Sequence, residues 1–242
     1  RVQYQTYDVT SMIQPKNSIG AIVADGWYRG NIGFSGQNSY YGKKLALIAQ
    51  LQLNYTNGTS ETVETNEGWK ATTGPIVFSD IYNGETYDAR MEMPGWANTG
   101  FDDSKWGKVV NLNQSKSLLI APQGVPVKAI EEIVPVKLLT TPKGETVLDM
   151  GQNMVGWVRL KVKGKKGDAV TLKFAEVLDK EGNFYTANLR AAKATDVYIL
   201  KGDGEEIYEP KFTFHGFRFV QLIGFPGTAG IENITGIVIH SA

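Results

Sequence analysis

Cysteine is absent from the 242 residues, which excludes disulfides, thiolate nucleophiles and zinc–thiolate sites. The chain also lacks a net charge, since 25 basic residues balance 25 acidic ones. No basic surface for nucleic acid is therefore expected, because phosphate binding needs clustered positive charge. No apolar run approaches the roughly 20 residues that a membrane-spanning helix requires. We expect neither nucleic acid nor a membrane as a partner.

What the sequence does contain is alternation with a period of two, which is typical of half-buried strands. In LALIAQLQLNY the apolar positions fall on one face, and the following TNGT and SETVET predict a turn and a returning strand. In WVRLKVK, Val158, Leu160 and Val162 are predicted to face inward. DVYILKGDGEEIYEP predicts two further strands joined by a glycine-rich turn.

These patterns predict an all-β chain of two antiparallel β-sandwich domains in tandem, jelly-roll-like in character. One sandwich needs about 100 residues, so two fit the length. Pro122, Pro126 and Pro135 bracket extended segments and indicate a boundary near Gly124. The predicted domains are residues 1–124 and 125–242.

An aromatic stretch, KFTFHGFRFV, contains His215, one of only two histidines. With a small irregularity at Gly216, the residues predicted to enter the core are Phe212, Phe214, Val220 and Leu222. Those predicted on the second face, which is too apolar to be solvated, are Thr213, His215, Phe217 and Phe219. The alternative is that His215 is a satisfied core histidine.

The acidic residues give no sign of a catalytic pair, and no catalytic residue is predicted. Asp102 is expected to cap a short helical turn, and Glu205 and Glu206 are expected to be solvated after a glycine turn. Arginine beside an aromatic residue, in GWVRL and GFRFV, is typical of cation–π pairing or packing of the arginine stem.

Several collinear motifs resemble the β-sandwiches of bacterial α-L-rhamnosidases. LDMGQNMVGWVRLKV, KFAEVLDKEGNFYTANLRAAKATDVYILKG and FTFHGFRFVQLIGFPG resemble the sandwich that precedes the family's catalytic domain. YQTYDVT, LQLNYTNGT, GETYDAR and the GW…FDDSKW series resemble its amino-terminal sandwich. The resemblance extends over nearly the whole chain.

This resemblance implies that the chain is the non-catalytic β-sandwich portion of a bacterial glycoside hydrolase that removes terminal α-L-rhamnosides. The family's inverting chemistry resides in an α/α-barrel, which is expected elsewhere in the same polypeptide, so this chain alone is predicted to be inactive. Both ends are expected to be cut, the first sandwich at its start. The second face of the aromatic stretch would dock on the barrel through His215, Phe217, Arg218 and Phe219. Such relatives favour a periplasmic or extracellular location.

The resemblance also leaves sugar binding open, because some amino-terminal sandwiches of the family bind rhamnose with the help of calcium. The alternative function is therefore an autonomous, calcium-assisted carbohydrate-binding module for rhamnose-containing glycans. Candidate sugar-binding residues are Trp69, Asp80, Asn83, Glu85 and Trp96. Against this, Asp and Asn are common in turns and tryptophans are usually core residues. No other cofactor is expected. A structural or adhesive protein, without a barrel, is a further rival.

Overall fold

The computed structural model describes residues 1–33 and 36–242, and their regular structure is nearly all β-strand, which confirms the predicted class. The strands in chain order are β1 (Val2–Gln3), β2 (Gln50–Asn54), β3 (Ser60–Glu64), β4 (Lys70–Ala71), β5 (Ile76–Asp80), β6 (Gly84–Asp88), β7 (Gly107–Lys108), β8 (Leu119–Ile120), β9 (Val127–Ile133), β10 (Lys137–Thr140), β11 (Thr146–Lys163), β12 (Ala169–Ala175), β13 (Val177–Leu178), β14 (Phe184–Tyr185), β15 (Thr195–Ile199), β16 (Glu205–Tyr208), β17 (His215–Ile223) and β18 (Ile234–Ser241).

Helical structure in the described residues is limited to single turns. The α-helix α1 is Gly26–Arg29, and the 3-10 turns are Thr10–Met12, Ala89–Met91, Lys116–Leu118, Ala187–Leu189 and Ile231–Asn233. None of the helices in the described part of the chain is long and apolar enough to cross a membrane.

The chain divides into two compact units whose segments interleave along the sequence. The first comprises Arg1–Val23, Lys44–Thr73 and Met93–Gly124; the second comprises Ala24–Lys43, Gly74–Glu92 and Val125–Ala242. The predicted boundary after Gly124 coincides with the last division, but two earlier segments group with the second unit. The segment Gly74–Glu92 groups with the second unit because its strand β6 pairs with β15, so that Thr86 lies opposite Val197.

The first unit contains three two-stranded pairs: β1 with β8 in parallel, and β2 with β3 and β4 with β7 antiparallel. The predicted hairpin is confirmed, although pairing covers only part of the apolar alternation that precedes it. Its turn contains Gly58 at φ +82°, a backbone conformation that glycine adopts without steric cost. Leu51 and Leu53 are half-buried, whereas Gln50 and Gln52 are exposed, as the alternation predicts.

The second unit is built on a ten-stranded sheet in the order β5-β6-β15-β12-β17-β11-β18-β9, with β10 and β16 also paired to β11. The eighteen-residue β11 pairs with β10 and β17 in its first half and with β16 and β18 in its second. Because one strand serves different partners along its length, the sheet curls and encloses a sandwich core. The pairs are antiparallel, as predicted, except the parallel pair of β6 with β15.

The core of this sandwich comes from alternate residues of its strands. Val158, Leu160 and Val162 of β11 are buried, which confirms the predicted inward face. They join Leu172 and Phe174 of β12 in one continuous apolar cluster. Burial on one face of each strand is what period-two alternation produces.

Candidate functional site

The aromatic stretch does not place its residues as predicted. His215 and Phe217 are buried, whereas Phe214 is 42% exposed, so the prediction that Phe214 enters the core and His215 faces outward is wrong. Val220 and Leu222 are buried as predicted. The pairing of β17 with β11 shifts its register between Asp149 and Met154. This irregularity changes which alternate residues of β17 face inward after Phe217, so residues of both predicted faces are buried.

His215 is a satisfied core histidine, which was the alternative. Its Nε2 lies 3.2 and 3.1 Å from the two carboxylate oxygens of Asp196, and the two side chains are 2% and 0% exposed. The imidazole stacks on Phe174, with ring centroids 4.1 Å apart. Asp196 also accepts a 2.9 Å hydrogen bond from the backbone N–H of Glu85. A pair closed off in this way cannot reach a substrate, because a general acid or base must contact the reacting group.

Three of the four residues predicted to dock on a barrel are buried within this chain: Phe217 is 0%, His215 is 4% and Phe219 is 8% exposed. Arg218 remains accessible, with a side chain 42% exposed, and its Nε and Nη2 donate to the two oxygens of Asp149 at 2.8 and 2.9 Å. These bonds lower the pKa of Asp149 below its ordinary value. The guanidinium lies 5.1 Å from the ring centre of Phe219, which is the predicted cation–π arrangement.

Asp80 and Asn83, predicted as sugar or calcium ligands, are buried and hold the backbone instead. Oδ1 of Asp80 accepts from the N–H groups of Tyr82 and Asn83 at 2.9 Å, and its Oδ2 accepts from Asn31 at 2.6 Å. Oδ1 of Asn83 accepts from the N–H of Lys193 at 3.3 Å. Oxygens that face N–H donors are poorly placed for a cation, so this donor set does not fit calcium.

Glu85, the third polar candidate, is fully buried and cannot contact a sugar. Its Oε1 accepts from the Tyr208 hydroxyl at 3.2 Å, and its Oε2 accepts from the N–H groups of Lys211 and Phe212 at 3.0 and 3.3 Å. Burial raises the pKa of Glu85 above its ordinary value. Among the described residues, no group of three or more acidic or histidine side chains could hold a metal ion.

The two tryptophan candidates belong to the first unit, whereas Asp80, Asn83 and Glu85 belong to the second. Trp69 precedes β4 and is half-buried. Trp96 packs against Trp106, with ring centroids 6.4 Å apart, and against Gly20, where a side-chain carbon would lie 2.4 Å from the indole. Trp96 is thus a packing residue of its own unit.

The acidic residues of the last glycine-rich turn also differ from expectation. Glu205 is exposed, but Glu206 is buried, so the prediction that both are solvated is wrong for Glu206. Its carboxylate accepts from the Tyr198 hydroxyl at 2.8 Å and from the N–H groups of Lys201 and Gly202 at 3.1 and 2.8 Å. Glu206 therefore holds the turn closed. Asp102 caps its turn as expected, accepting from the N–H of Ser104 at 3.0 Å.

Sequence reasoning missed one polar cluster, on the outer face of β11. The indole N–H of Trp157 donates to Oε2 of Glu209 at 2.7 Å, and Nε of Arg159 donates to Oε1 at 2.6 Å. Nη1 of Arg159 donates to Glu132 at 3.0 Å. Their partners are 27 to 52 residues distant along the chain, so no local motif could have revealed them.

Family models match the two parts of the chain in turn. The α-L-rhamnosidase N-terminal domain matches residues 1–131, and the bacterial α-L-rhamnosidase concanavalin-like domain matches residues 139–240. An α-L-rhamnosidase of Streptomyces avermitilis is 51% identical over all of this chain, which covers 24% of that protein. One from Alteromonas sp. is 42% identical, again over the whole chain and 26% of that protein.

Solved structures agree with these matches. The crystal structure of the Streptomyces avermitilis α-L-rhamnosidase complexed with L-rhamnose superposes with a TM-score of 0.92 at 48% identity, covering 99% of this chain and 23% of that one. The native enzyme from Aspergillus terreus gives a TM-score of 0.86 at 40% identity, covering 90% of this chain and 25% of that one. The chain spans about a quarter of the length of these relatives. It belongs to the α-L-rhamnosidase family, of which it represents the N-terminal and concanavalin-like domains.

Proposed function

We propose that this chain braces the catalytic barrel of an α-L-rhamnosidase-like glycoside hydrolase and carries out no hydrolysis itself. The observation that supports this most directly is the pair of matches to N-terminal and concanavalin-like domains, in a chain that spans about a quarter of its relatives. The complete polypeptide would remove terminal α-L-rhamnosides, acting on glycans in the periplasm or outside the cell.

The buried carboxylates support a role other than catalysis. Glu85, Asp196 and Glu206 are each at most 4% exposed and accept hydrogen bonds from neighbouring N–H groups or side chains. Inverting hydrolysis needs an acid and a base on either side of the sugar, about 6.5–9.5 Å apart, with room for a water. Carboxylates enclosed in a sandwich core cannot provide that arrangement.

We further propose that the barrel docks around Arg218. Val136 is 68% exposed, and its side chain lies over Gly151, where a Cβ would come within 3.0 Å of it. The backbone N–H of Gly151 in turn donates to Asp149, the partner of Arg218. Arginine is enriched at interface centres, and an arginine that Asp149 already holds in place loses less conformational freedom on docking.

The first experiment measures activity on an aryl α-L-rhamnoside. The purified chain should show no turnover, and the gene should encode a helical barrel in the same polypeptide. Turnover by the chain alone that disappears when one of its carboxylates is replaced would contradict the proposal. A gene without a barrel would favour the structural or adhesive alternative.

The second experiment tests bracing with a matched pair of variants. Arg218→Ala removes the arginine at the proposed docking face, whereas Arg90→Ala removes another bidentate arginine, paired with Asp88 and equally 42% exposed. In the complete polypeptide, calorimetry should show a lower melting temperature for the barrel with Arg218→Ala only. Equal effects of the two variants would contradict docking at this face. No observation favours the calcium-assisted module built on Asp80.

A further inference from the structure

An open cavity of about 290 Å³ lies on the outer face of the second unit, where β9, β11 and β18 are neighbours. Its size is near the lower end of small-molecule pockets, which begin at about 300 Å³. The residues that line it are Ala129, Ile130, Glu131, Glu132, Trp157, Arg159, Glu209 and Ile237. None of the roles discussed so far involves it.

One wall of this cavity is aromatic and rigid. The indole N–H of Trp157 is held by Glu209 at 2.7 Å, so the ring has a fixed orientation before any ligand arrives. Ile130, which is 46% exposed, adds an apolar surface beside it. A preoriented aromatic face next to aliphatic groups suits the C–H face of a sugar ring, since less conformational freedom is lost on binding.

Polar groups in the cavity come from Arg159, which is held between two carboxylates. Its Nε and Nη1 donate to Glu209 and Glu132 at 2.6 and 3.0 Å, and its Nη2 lies 2.9 Å from a Glu132 oxygen. A guanidinium has five N–H groups, so two are left without a carboxylate partner, while each carboxylate keeps spare lone pairs. Donors and acceptors therefore lie side by side, as adjacent sugar hydroxyls require, because each hydroxyl both donates and accepts.

The charge of the cavity decides which sugars fit. Three carboxylates, of Glu131, Glu132 and Glu209, and one guanidinium, of Arg159, line the cavity, so its net charge is negative. Repulsion disfavours phosphate, sulfate and uronate groups. We propose that this cavity binds a neutral pyranose, as one ring of a glycan, with its apolar face on Trp157 and its hydroxyls on the remaining N–H groups of Arg159 and the spare lone pairs of Glu132. This site is separate from the docking face and does not depend on the bracing role.

The test uses the ¹⁵N-labelled chain and follows the Trp157 indole N–H resonance during titration with L-rhamnose, D-glucose and D-glucuronate. At least one neutral sugar should give a saturable shift with a Kd on the order of millimolar, and D-glucuronate should give none. Glu132→Gln should weaken the binding about tenfold, because the clamp on Arg159 loses its charge. Glu132 is 58% exposed, so this variant retains the fold.

Glu205→Gln is the matched control. Glu205 is 56% exposed and paired with Lys161 of β11 at 3.4 Å, and it does not line the cavity. Its substitution should leave the titration unchanged. The proposal is overturned if the Trp157 resonance stays fixed with both neutral sugars, if D-glucuronate shifts it equally, or if both glutamine variants behave alike.

Discussion

Replacing His215 by phenylalanine separates its packing from its hydrogen bonding. A phenyl ring preserves the stack on Phe174, whose centroid is 4.1 Å away, but it cannot bond to Asp196 at 3.1 Å. Among the described residues, Asp196, with 0% side-chain exposure, then keeps only the backbone N–H of Glu85 as a partner. Breaking a buried pair from one side costs about 3–5 kcal/mol, a large part of the about 5–15 kcal/mol that stabilises a typical domain.

The measurement is the free energy of unfolding in urea, followed by the indole resonance of Trp157, which reports on the second unit. His240→Phe is the control, because His240 is exposed on β18, and it should change the free energy by no more than about 0.5 kcal/mol. Adding Asp196→Asn to His215→Phe should recover part of the loss, since an amide costs less to bury than an unpaired carboxylate and its oxygen still accepts from Glu85. A His215→Phe variant as stable as the parent would refute the reasoning.

Three further predictions use the same unfolding measurement. Phe217→Ala should cost about 3–5 kcal/mol because its side chain is fully buried, whereas the 42% exposed Phe214→Ala should cost about 0.5 kcal/mol; equal losses would contradict the observed facing of β17. Gly84→Ala should cost more than about 2 kcal/mol, because φ is +104° and a Cβ would lie 1.9 Å from a backbone oxygen of β15, and a neutral result would rule out that close approach. The pKa of Asp149 is lower in the folded chain than its ordinary value, so this group stabilises the fold at pH values above the ordinary pKa. That stabilisation is lost as the pH falls through the lowered, folded-state pKa. Arg218→Ala, which removes the cause of the shift, should therefore lose less stability on acidification than the parent.

The strands were predictable where one face is polar. In β11 the alternation of Val158, Leu160 and Val162 with charged residues specified both the strand and its inward face. In β17 the alternation could not specify the inward face, because both faces carry aromatic residues and neither stands out as the polar one. The phase is set by the pairing with β11 and by the bond from His215 to Asp196, neither of which is visible in the local sequence.

The candidate sites failed for a related reason. Asp80 and Glu85 stand in a turn-rich stretch that is equally typical of a ligand loop and of a structural turn. Their role is decided by donors that are distant in sequence, such as the Tyr208 hydroxyl, 123 residues after Glu85. The same separation hid the Glu209 contact of Trp157, 52 residues away. The sequence showed that polar residues cluster in this stretch, but it did not show the distant partners that determine whether each one is buried.

The eighteen-residue β11 has a consequence for biosynthesis. It needs β17 and β18 as partners, and β6 must wait for β15, so the sandwich cannot close until residues 234–241 have left the ribosome. Chains with such distant pairings fold slowly, in milliseconds to seconds, because the intervening loops must be ordered first. During that interval the apolar face of β11 is unshielded, which makes the nascent chain prone to aggregation.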